Sequence, residues 1–386
     1  MRLIKHKTNI DFIGKRKVAI FASTLINLAI IIGIATVGFN FGVDFAGGTV
    51  VELRFNQPIS AADVRKRAED GGLHDVSVQN IGSSDENTFL LRMGGVTQLT
   101  LENAEKAKAS ITALGNVKNV YPDLSNGIIN VRATSALSTD AIKQAVEASG
   151  TGVQEIRTLP SAQGGGVDYQ VVASGMADKV KAALGKGLSA PDFQERRVDY
   201  VGPQVGKQLR NKGIAALVYA MVAILIYVAF RFDFKFGPGA LLAMLHDVVM
   251  VAGFYLVSRR EFNLTAIAAL LTIIGYSVND TIVIYDRIRE DMGKYKGKPL
   301  PEVINIAVND TLARTLLTSL VTALSLVGLL IFGVGEIWDF AMAMLVGIVV
   351  GTYSSVYIAS PLTIWLDERA AAREARGKGD MKPKTA

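Results

Sequence analysis

The sequence predicts a polytopic α-helical membrane protein with six transmembrane helices and an α+β domain between the first two. Three observations predict this class: six apolar stretches of membrane-spanning length, a long polar stretch after the first of them, and a repeated strand and helix pattern inside that polar stretch. Half of the 386 residues are hydrophobic even without the 37 glycines. This is more than a typical soluble domain contains, so an entirely soluble protein is not expected.

A membrane span needs about 20 mostly apolar residues, and six stretches meet this requirement. The first follows a basic run and lacks a small-residue cleavage site, so we interpret it as a retained anchor rather than a signal peptide. For the third, an alternative is a buried helix that does not cross the bilayer. The predicted spans are 18–38, 213–230, 238–257, 264–285, 313–332 and 340–366, and spans two to six together occupy 213–366.

The distribution of basic residues predicts the orientation, because loops rich in Lys and Arg stay on the cytoplasmic side. Lys and Arg number six in 1–17, five in 286–312 and six in 367–386, whereas 333–339 has none. We therefore expect a cytoplasmic basic N-terminus (1–17), a cytoplasmic basic tail (367–386), and the polar stretch 39–212 on the outer side. The net charge of +6 then records orientation, and no nucleic-acid partner is expected.

The polar stretch predicts two tandem ferredoxin-like modules, 39–125 and 126–212. In both, the pattern is strand, helix, strand, strand, helix, strand, which is the order of the split βαβ fold. Two helical segments, 61–72 and 139–150, align at an offset of 78 residues; chance similarity is the alternative. The predicted strands are 49–55, 75–81, 87–93, 117–121, 128–133, 152–158, 168–173 and 193–199, and the predicted helices are 60–71, 99–114, 138–148 and 176–188.

The residue types exclude most kinds of catalytic site. The chain has no cysteine, and its three histidines lack the spacing of metal ligands, so we expect no metal site and no thiol chemistry. It contains no nucleophile motif and no phosphate-binding loop. The sequence therefore predicts a protein without a catalytic site that is not an enzyme and uses no cofactor.

Three ionisable residues lie inside predicted spans: Asp247, Asp280 and Arg314. Charged groups in a bilayer are costly and mark functional sites by default. Asp280 precedes Arg287 by seven residues, which places it about 10 Å inside its span. Arg314 begins the next span, so we expect the two side chains to meet. Movement of Arg314 would switch the protonation of Asp280 and couple proton passage to helix movement; a static ion pair is the alternative.

Polar side chains near this pair predict a route for protons, because several hydroxyls share one helical face with Arg314. In the third span, an adjacent histidine and aspartate act either as a relay or as a helix-packing pair. The candidate supporting residues are Asp247, His246, Asn279, Thr311 and Thr318.

Four features of the sequence match the motifs of one known family. They are the run FGVDFAGGT at 41–49 just after the first span, the run GYSVNDTIV at 275–283 in the fourth span, the run NDTLARTL at 309–316 at the start of the fifth, and the pair His246 and Asp247 in the third. Together they resemble the SecF subunits of the SecD/SecF protein-export family, in the resistance–nodulation–division superfamily. In the first run, the positions of the family motif are Gly42, Asp44, Gly47 and Gly48.

The resemblance implies a proton-driven subunit of protein export in the bacterial inner membrane. Family members pair with SecD in a twelve-span unit beside the SecYEG channel and the SecA motor, with YajC and YidC as further partners. They capture the exported unfolded polypeptide in the periplasm. The resemblance also implies that Asp280 and Arg314 occupy proton-pathway positions. One departure is the second external module, since family members typically carry one.

Two other functions stay open at this point. A small-molecule or lipid exporter of the same superfamily would have to act as a homo-oligomer, because this chain provides only one six-span half. A purely structural scaffold would tolerate a charge-neutral double substitution of Asp280 and Arg314. Co-purification with SecD discriminates the export subunit from both alternatives.

Overall fold

The computed structural model describes residues 8–73, 76–81, 87–94, 99–124, 126–160, 166–186, 192–232 and 234–379. Within these residues the chain divides into two compact units. One is a sheet domain, Phe41–Asn211, and the other is a helix bundle formed by the residues before and after it.

The elements follow the predicted order along the chain. The helices are α1 (Arg16–Thr36), α2 (Val43–Ala46), α3 (Ala61–Asp70), α4 (Leu101–Thr112), α5 (Thr139–Glu147), α6 (Met176–Leu184), α7 (Pro203–Arg231), α8 (Gly237–Ser258), α9 (Leu264–Lys294), α10 (Leu300–Phe332), α11 (Glu336–Ser354) and α12 (Ser360–Gly379). The strands are β1 (Gly48–Phe55), β2 (Ser77–Ile81), β3 (Thr88–Met93), β4 (Val117–Asp123), β5 (Ile128–Ala133), β6 (Val153–Pro160), β7 (Val167–Ala173) and β8 (Phe193–Val201). A π-helical turn, Ser355–Ala359, joins α11 to α12.

Six helical segments of the described chain are long and apolar enough to cross a bilayer, which confirms the predicted number. They are α1, α7, α8, α9, α10 and the continuous α11–α12 helix. Three of them, α7, α9 and α10, extend about ten residues beyond the predicted spans. Hydropathy marks only the apolar part of a helix, and polar residues can continue the same helix outside the bilayer.

Small residues bring α9 and α11 close together in the bundle. A Cβ atom added at Gly347 would lie 2.4 Å from the Ile273 side chain, and one added at Gly351 would lie 2.9 Å from Ser277 Cβ. Membrane helices commonly use such residues to pack backbone against backbone. The close approach places polar side chains of the two helices within hydrogen-bond distance.

The segment before α1 lies along the start of α10 and is held there by two asparagines. Asn305 Oδ1 accepts from the Phe12 amide at 3.0 Å, and Asn309 Oδ1 accepts from the Ile10 amide at 2.9 Å. Asn309 Nδ2 also donates to the Ile10 carbonyl at 2.9 Å. These bonds satisfy backbone N–H and C=O groups of a segment that belongs to neither a helix nor a sheet.

The sheet domain contains two four-stranded antiparallel sheets, in the orders β2-β3-β1-β8 and β4-β5-β7-β6. In the first, Val51 of β1 faces Leu91 of β3 and Val198 of β8. In the second, β5 lies between β4 and β7. Two helices complete each core: α3 and α6 pack on the first sheet, and α4 and α5 on the second.

The strand pairing corrects the predicted tandem modules 39–125 and 126–212. All eight predicted strands and four predicted helices are present, but β4 joins the second sheet and β8 joins the first. Each repeat therefore keeps its first strand–helix–strand–strand unit and exchanges its last helix and strand with the other repeat. The exchanged units have equivalent patterns of apolar residues, so local sequence does not determine which sheet they join.

The predicted family motif after the first span forms α2 and the turn into β1. Gly42 lies at the N-cap position of α2, and Asp44 lies in its first turn. Gly47 and Gly48 have φ angles of +77° and +143°, and a Cβ at Gly48 would lie 2.5 Å from the Met93 carbonyl oxygen. Only glycine adopts these conformations without strain, so the pair serves the backbone turn into the first sheet.

Candidate functional site

Asp247 of α8 lies at the centre of a buried polar cluster and is 0% exposed. Ser354 Oγ donates to its carboxylate at 2.9 Å, Ser277 Oγ donates to the same oxygen, and His246 Nδ1 lies 3.0 Å from the other oxygen. The donors come from α8, α9 and α11, so this carboxylate ties three helices together. Next to it, the Thr281 and Ser355 hydroxyls lie 2.8 Å apart.

The π-helical turn Ser355–Ala359 lies beside this cluster. Pro361 follows the turn and has no N–H to donate to the carbonyl one turn before it, which interrupts the regular ladder. Hydroxyls bond to carbonyls of the turn: Ser360 Oγ donates to Ser355 O at 2.9 Å, and Tyr285 Oη donates to Ala359 O at 3.3 Å. Turns of this kind occur frequently at functional sites.

Asp280 of α9 lies one turn beyond Ser277 and is 2% exposed. Its Oδ2 atom is buried and has no hydrogen-bond partner among the described residues. The Thr352 hydroxyl is a hydrogen-bond partner of the carboxyl, and the Arg314 guanidinium interacts with it electrostatically. An oxygen in this position can take up a proton without giving up an existing hydrogen bond.

Arg314 lies on an exposed face of α10 in this single chain. Within the described residues, no ion pair within 4.0 Å joins its guanidinium to Asp280. The expected contact is therefore not made in this conformation. Arg314 interacts with the carboxyl of Asp280 only through the electrostatic attraction of a charge farther away than an ion pair.

A charged cluster at the end of α9 connects this helix to α10. Arg287 donates to Asp310 at 2.5 Å and to Glu290 at 2.8 Å, and its Nε lies 3.2 Å from Asp291. Asp291 is 0% exposed, so Arg287 compensates a buried charge as well as bridging the two helices. A buried charge without such a partner would be strongly destabilising.

Two ion pairs are possible between α9 and α10, Arg287–Asp310 and Asp280–Arg314, and the spacing of their residues puts the two pairs out of register. The five-residue connection makes the helices antiparallel neighbours. Asp280 and Arg287 are seven residues apart on α9, whereas Asp310 and Arg314 are four residues apart on α10. At about 1.5 Å per residue, Arg314 is offset from Asp280 by about 4–5 Å along the axis when Arg287 faces Asp310.

The other predicted polar residues lie outside the buried cluster. Asn279 is exposed on α9. Thr311 and Thr318 each donate to a carbonyl oxygen of α10 at 2.9 Å. Hydroxyls bonded to their own helix do not link Asp280 to a neighbouring helix in this conformation.

Sequence reasoning missed the serines around Asp247 and the role of the Arg287–Asp310 pair. Ser277 lies in the run GYSVNDTIV, and Ser354 and Ser355 are adjacent hydroxyls in an apolar span; both are weak signals. Arg287 and Asp310 lie in helical extensions of α9 and α10 beyond the predicted spans, in a segment whose charges predict only the orientation. Their pairing depends on how two helices face each other, which hydropathy does not contain.

Comparison with known proteins identifies the family. The sequence model described as "Protein export membrane protein SecD/SecF, C-terminal" matches residues 180–369, and that of the "SecD/SecF GG Motif" matches residues 32–59. The protein translocase subunit SecF of Magnetococcus marinus is 38% identical over 383 residues, covering 99% of this chain and 100% of that protein. The SecF of Rickettsia bellii is 34% identical over 371 residues, covering 96% and 97%.

Solved structures of SecDF are also similar. The crystal structure of SecDF in a super-membrane-facing form has a TM-score of 0.59 and 29% identity, covering 98% of this chain and 41% of that one. SecDF of Thermus thermophilus, a translocon-associated membrane protein, has a TM-score of 0.61 and 28% identity, covering 95% and 40%. The present chain is a multi-pass membrane protein that belongs to the SecD/SecF family of protein-export membrane proteins.

Proposed function

We propose that this chain is the SecF half of a SecDF-type unit and that it uses proton movement through Asp280 to promote protein translocation across the bacterial inner membrane. Its relatives are protein translocase subunits, which supports a Sec-associated role. The observation that carries the proton step is the buried Asp280 oxygen, which has no hydrogen-bond partner within the described chain. An ionisable group inside a membrane bundle is a functional site by default.

A SecD subunit is the proposed partner for the exposed face of α10. Arg314 is exposed on this helix, as are large apolar side chains such as Leu320 and Leu324. A guanidinium that faces hydrocarbon is costly, so a second subunit would cover it with a polar or acidic group. The chain covers 41% of the SecDF chain it resembles, and the larger remainder of that chain is consistent with a second subunit beside this one.

The proposed orientation places both ends of the chain in the cytoplasm and the sheet domain in the periplasm. It rests on the basic residues of 1–17, 286–312 and 367–386, because such segments stay on the cytoplasmic side. In this orientation the sheet domain meets the exported polypeptide after it leaves SecYEG. SecA, YajC and YidC are the further partners that this role brings.

The proposed coupling of proton binding to helix movement is an exchange between two ion pairs, Arg287–Asp310 and Asp280–Arg314. In the present register Arg287 holds Asp310, and Arg314 is about 4–5 Å out of line with Asp280. A charged Asp280 attracts Arg314, and a slide of less than one turn would exchange the first pair for the second. A protonated Asp280 has no such attraction, so proton binding restores the first register. A membrane potential supplies about 2.3 kcal/mol per charge per 100 mV, enough to bias this exchange.

The variant Asp280→Asn, reconstituted with SecD, tests the proposed function. Translocation of an exported precursor is measured in inner-membrane vesicles with and without a proton gradient. We expect the gradient-dependent part to be lost and the basal part to be retained. Asp286→Asn is the matched control, because Asp286 lies on the same helix but is 53% exposed, and it should keep the full response. A normal gradient response in Asp280→Asn would refute the proposal.

A further inference from the structure

A groove of about 540 Å³ opens on the helix bundle between α1, α8 and the α11–α12 helix. It is large enough for one acyl chain of a lipid or for a small amphipathic molecule. The lining is predominantly apolar, and many of its side chains are partly exposed. The apolar lining includes Ile20, Leu28, Leu242, Leu245, Leu362 and Trp365.

One end of the groove is basic. Helical periodicity places Arg16 and Lys17 one turn before the first lining residue of α1, on the same face. Arg369 lies one turn beyond Trp365, and its guanidinium is 3.7 Å from the centroid of the indole ring. Asp367 and Glu368 are the acidic residues of that turn, and Asp367 pairs with Lys235 at 3.9 Å. Three basic groups against two acids, one of them paired elsewhere, leave a net positive rim.

The basic groups of α1 and α12 lie at the same side of the bilayer. The chain crosses the membrane six times between the start of α1 and the end of α12, and an even number of crossings returns it to its starting side. Trp365 lies at this end of the groove, and tryptophans are enriched where a membrane helix meets the headgroups. The groove therefore presents an apolar slot below a basic, aromatic rim.

We propose that this groove binds an anionic phospholipid from the leaflet on that side, with an acyl chain in the slot and its phosphate at the Arg16, Lys17 and Arg369 rim. Basic pockets between membrane helices suit anionic headgroups, whose attraction adds to burial of the chain. A zwitterionic lipid fits the slot but gains less from the rim. Asp280 is not among the lining residues, whereas His246, which contacts Asp247, is one of them; the proposal does not depend on the proposed proton step.

Tryptophan fluorescence can report on this groove directly. The chain has two tryptophans, Trp338 and Trp365, so Trp338→Phe leaves a single reporter beside the rim. The full chain with this change is reconstituted in phosphatidylcholine vesicles, and brominated phosphatidylglycerol or brominated phosphatidylcholine is added in increasing amounts. We expect the anionic lipid to quench Trp365 at a several-fold lower mole fraction.

Two substitutions test the rim. Lys17→Gln and Arg369→Gln should each reduce the preference for phosphatidylglycerol about fivefold, the change expected for one basic group near a membrane surface. Each curve is normalised to its own unquenched emission, because Arg369 also contacts the indole. Lys296→Gln is the matched control: it removes an exposed basic residue of the α9–α10 connection and should leave the preference unchanged.

Three results would overturn the proposal. Equal quenching by both lipids would mean that the groove has no selectivity for an anion. An unchanged preference in Leu242→Phe, which fills the slot, would place the lipid elsewhere. Loss of quenching when SecD is reconstituted with the chain would assign the groove to a helix of that subunit instead of a lipid. A circular dichroism melt confirms that each variant is folded.

Discussion

Asp247 and Asp280 are two carboxylates in one helix bundle, and their surroundings differ. Asp247 is 0% exposed and is held by side chains of three helices. Asp280 is 2% exposed, but its Oδ2 has no partner among the described residues. Burial therefore does not separate the two groups. Hydrogen bonding does: both oxygens of Asp247 have polar partners that fix the packing of three helices, whereas Oδ2 of Asp280 has none within the described chain.

The largest difference between the two carboxylates is expected in the stability of their amide variants. Asp247→Asn places an amide N–H₂ among donors, so buried hydrogen bonds that tie three helices are lost, and we expect a loss of about 2–4 kcal/mol. Asp280→Asn removes no hydrogen bond from Oδ2, and we expect a change within about 1 kcal/mol. Thermal unfolding in detergent compares the two. A larger loss for Asp280→Asn than for Asp247→Asn would contradict the distinction.

Helix spacing at the Asp247 cluster can be changed without touching a charge. Gly351→Ala would place a Cβ 2.9 Å from Ser277 Cβ, separating α9 from α11, and overpacking of this kind costs about 1–3 kcal/mol. Gly275→Ala is the matched control, because a Cβ there meets nothing within 4 Å and alanine favours helix. Thermal unfolding should fall for the first variant and stay level or rise for the second. Equal behaviour of the two would mean that close packing does not support the cluster.

The Arg287–Asp310 pair connects α9, which carries Asp280, to α10. Arg287→Asp should weaken the connection of α9 to α10 and also leave buried Asp291 without its cation. The double variant Arg287→Asp with Asp310→Arg restores the pair in reverse order. Partly exposed pairs contribute about 1 kcal/mol or less, so we expect a modest recovery, measured by thermal unfolding and by hydrogen exchange of the α9–α10 connection. No recovery in the double variant would argue against a direct pair.

The smallest effect is expected for a surface pair of the sheet domain, Arg132 and Asp168, whose atoms lie 2.8 Å apart. The hydrogen bond from Arg132 lowers the pKa of Asp168 from its ordinary value. A carboxyl with a lowered folded pKa stabilises the fold above its unfolded pKa of about 3.9 and loses that contribution as the pH falls through the folded pKa.

Arg132→Gln should therefore lower the unfolding temperature slightly at pH 7 and have no effect in strong acid. The test is the difference between the unfolding temperatures of the variant and the parent protein, measured across that pH range. A difference that persists in acid would show that Arg132 acts through packing rather than through its charge.

Much of the fold was predictable from local pattern. The six spans follow from hydropathy, and every strand of the sheet domain follows from alternation between turn signals. The exchange of β4 and β8 between the sheets could not be predicted, because both strands follow equivalent helices at equivalent positions of the repeat. Pairing between distant strands is decided by tertiary packing, which the local pattern of either repeat does not record.

The candidate site was predictable in part. Asp280 is visible as a charge in an apolar run, and its burial follows from that position. The hydrogen bonds to Asp247 could not be predicted, since its partners Ser277 and Ser354 come from two other helices. The offset between Arg314 and Asp280 also escapes the sequence, because it depends on the register set by Arg287 and Asp310.

Proton uptake by reconstituted vesicles tests the central distinction most directly. The chain is reconstituted with SecD, a membrane potential is imposed, and the internal pH is followed with a trapped dye. We expect Asp280→Asn to abolish uptake and Asp286→Asn, the exposed carboxylate on the same helix, to retain it. Uptake at the parent rate in Asp280→Asn would contradict the assignment of Asp280 as the proton-carrying group.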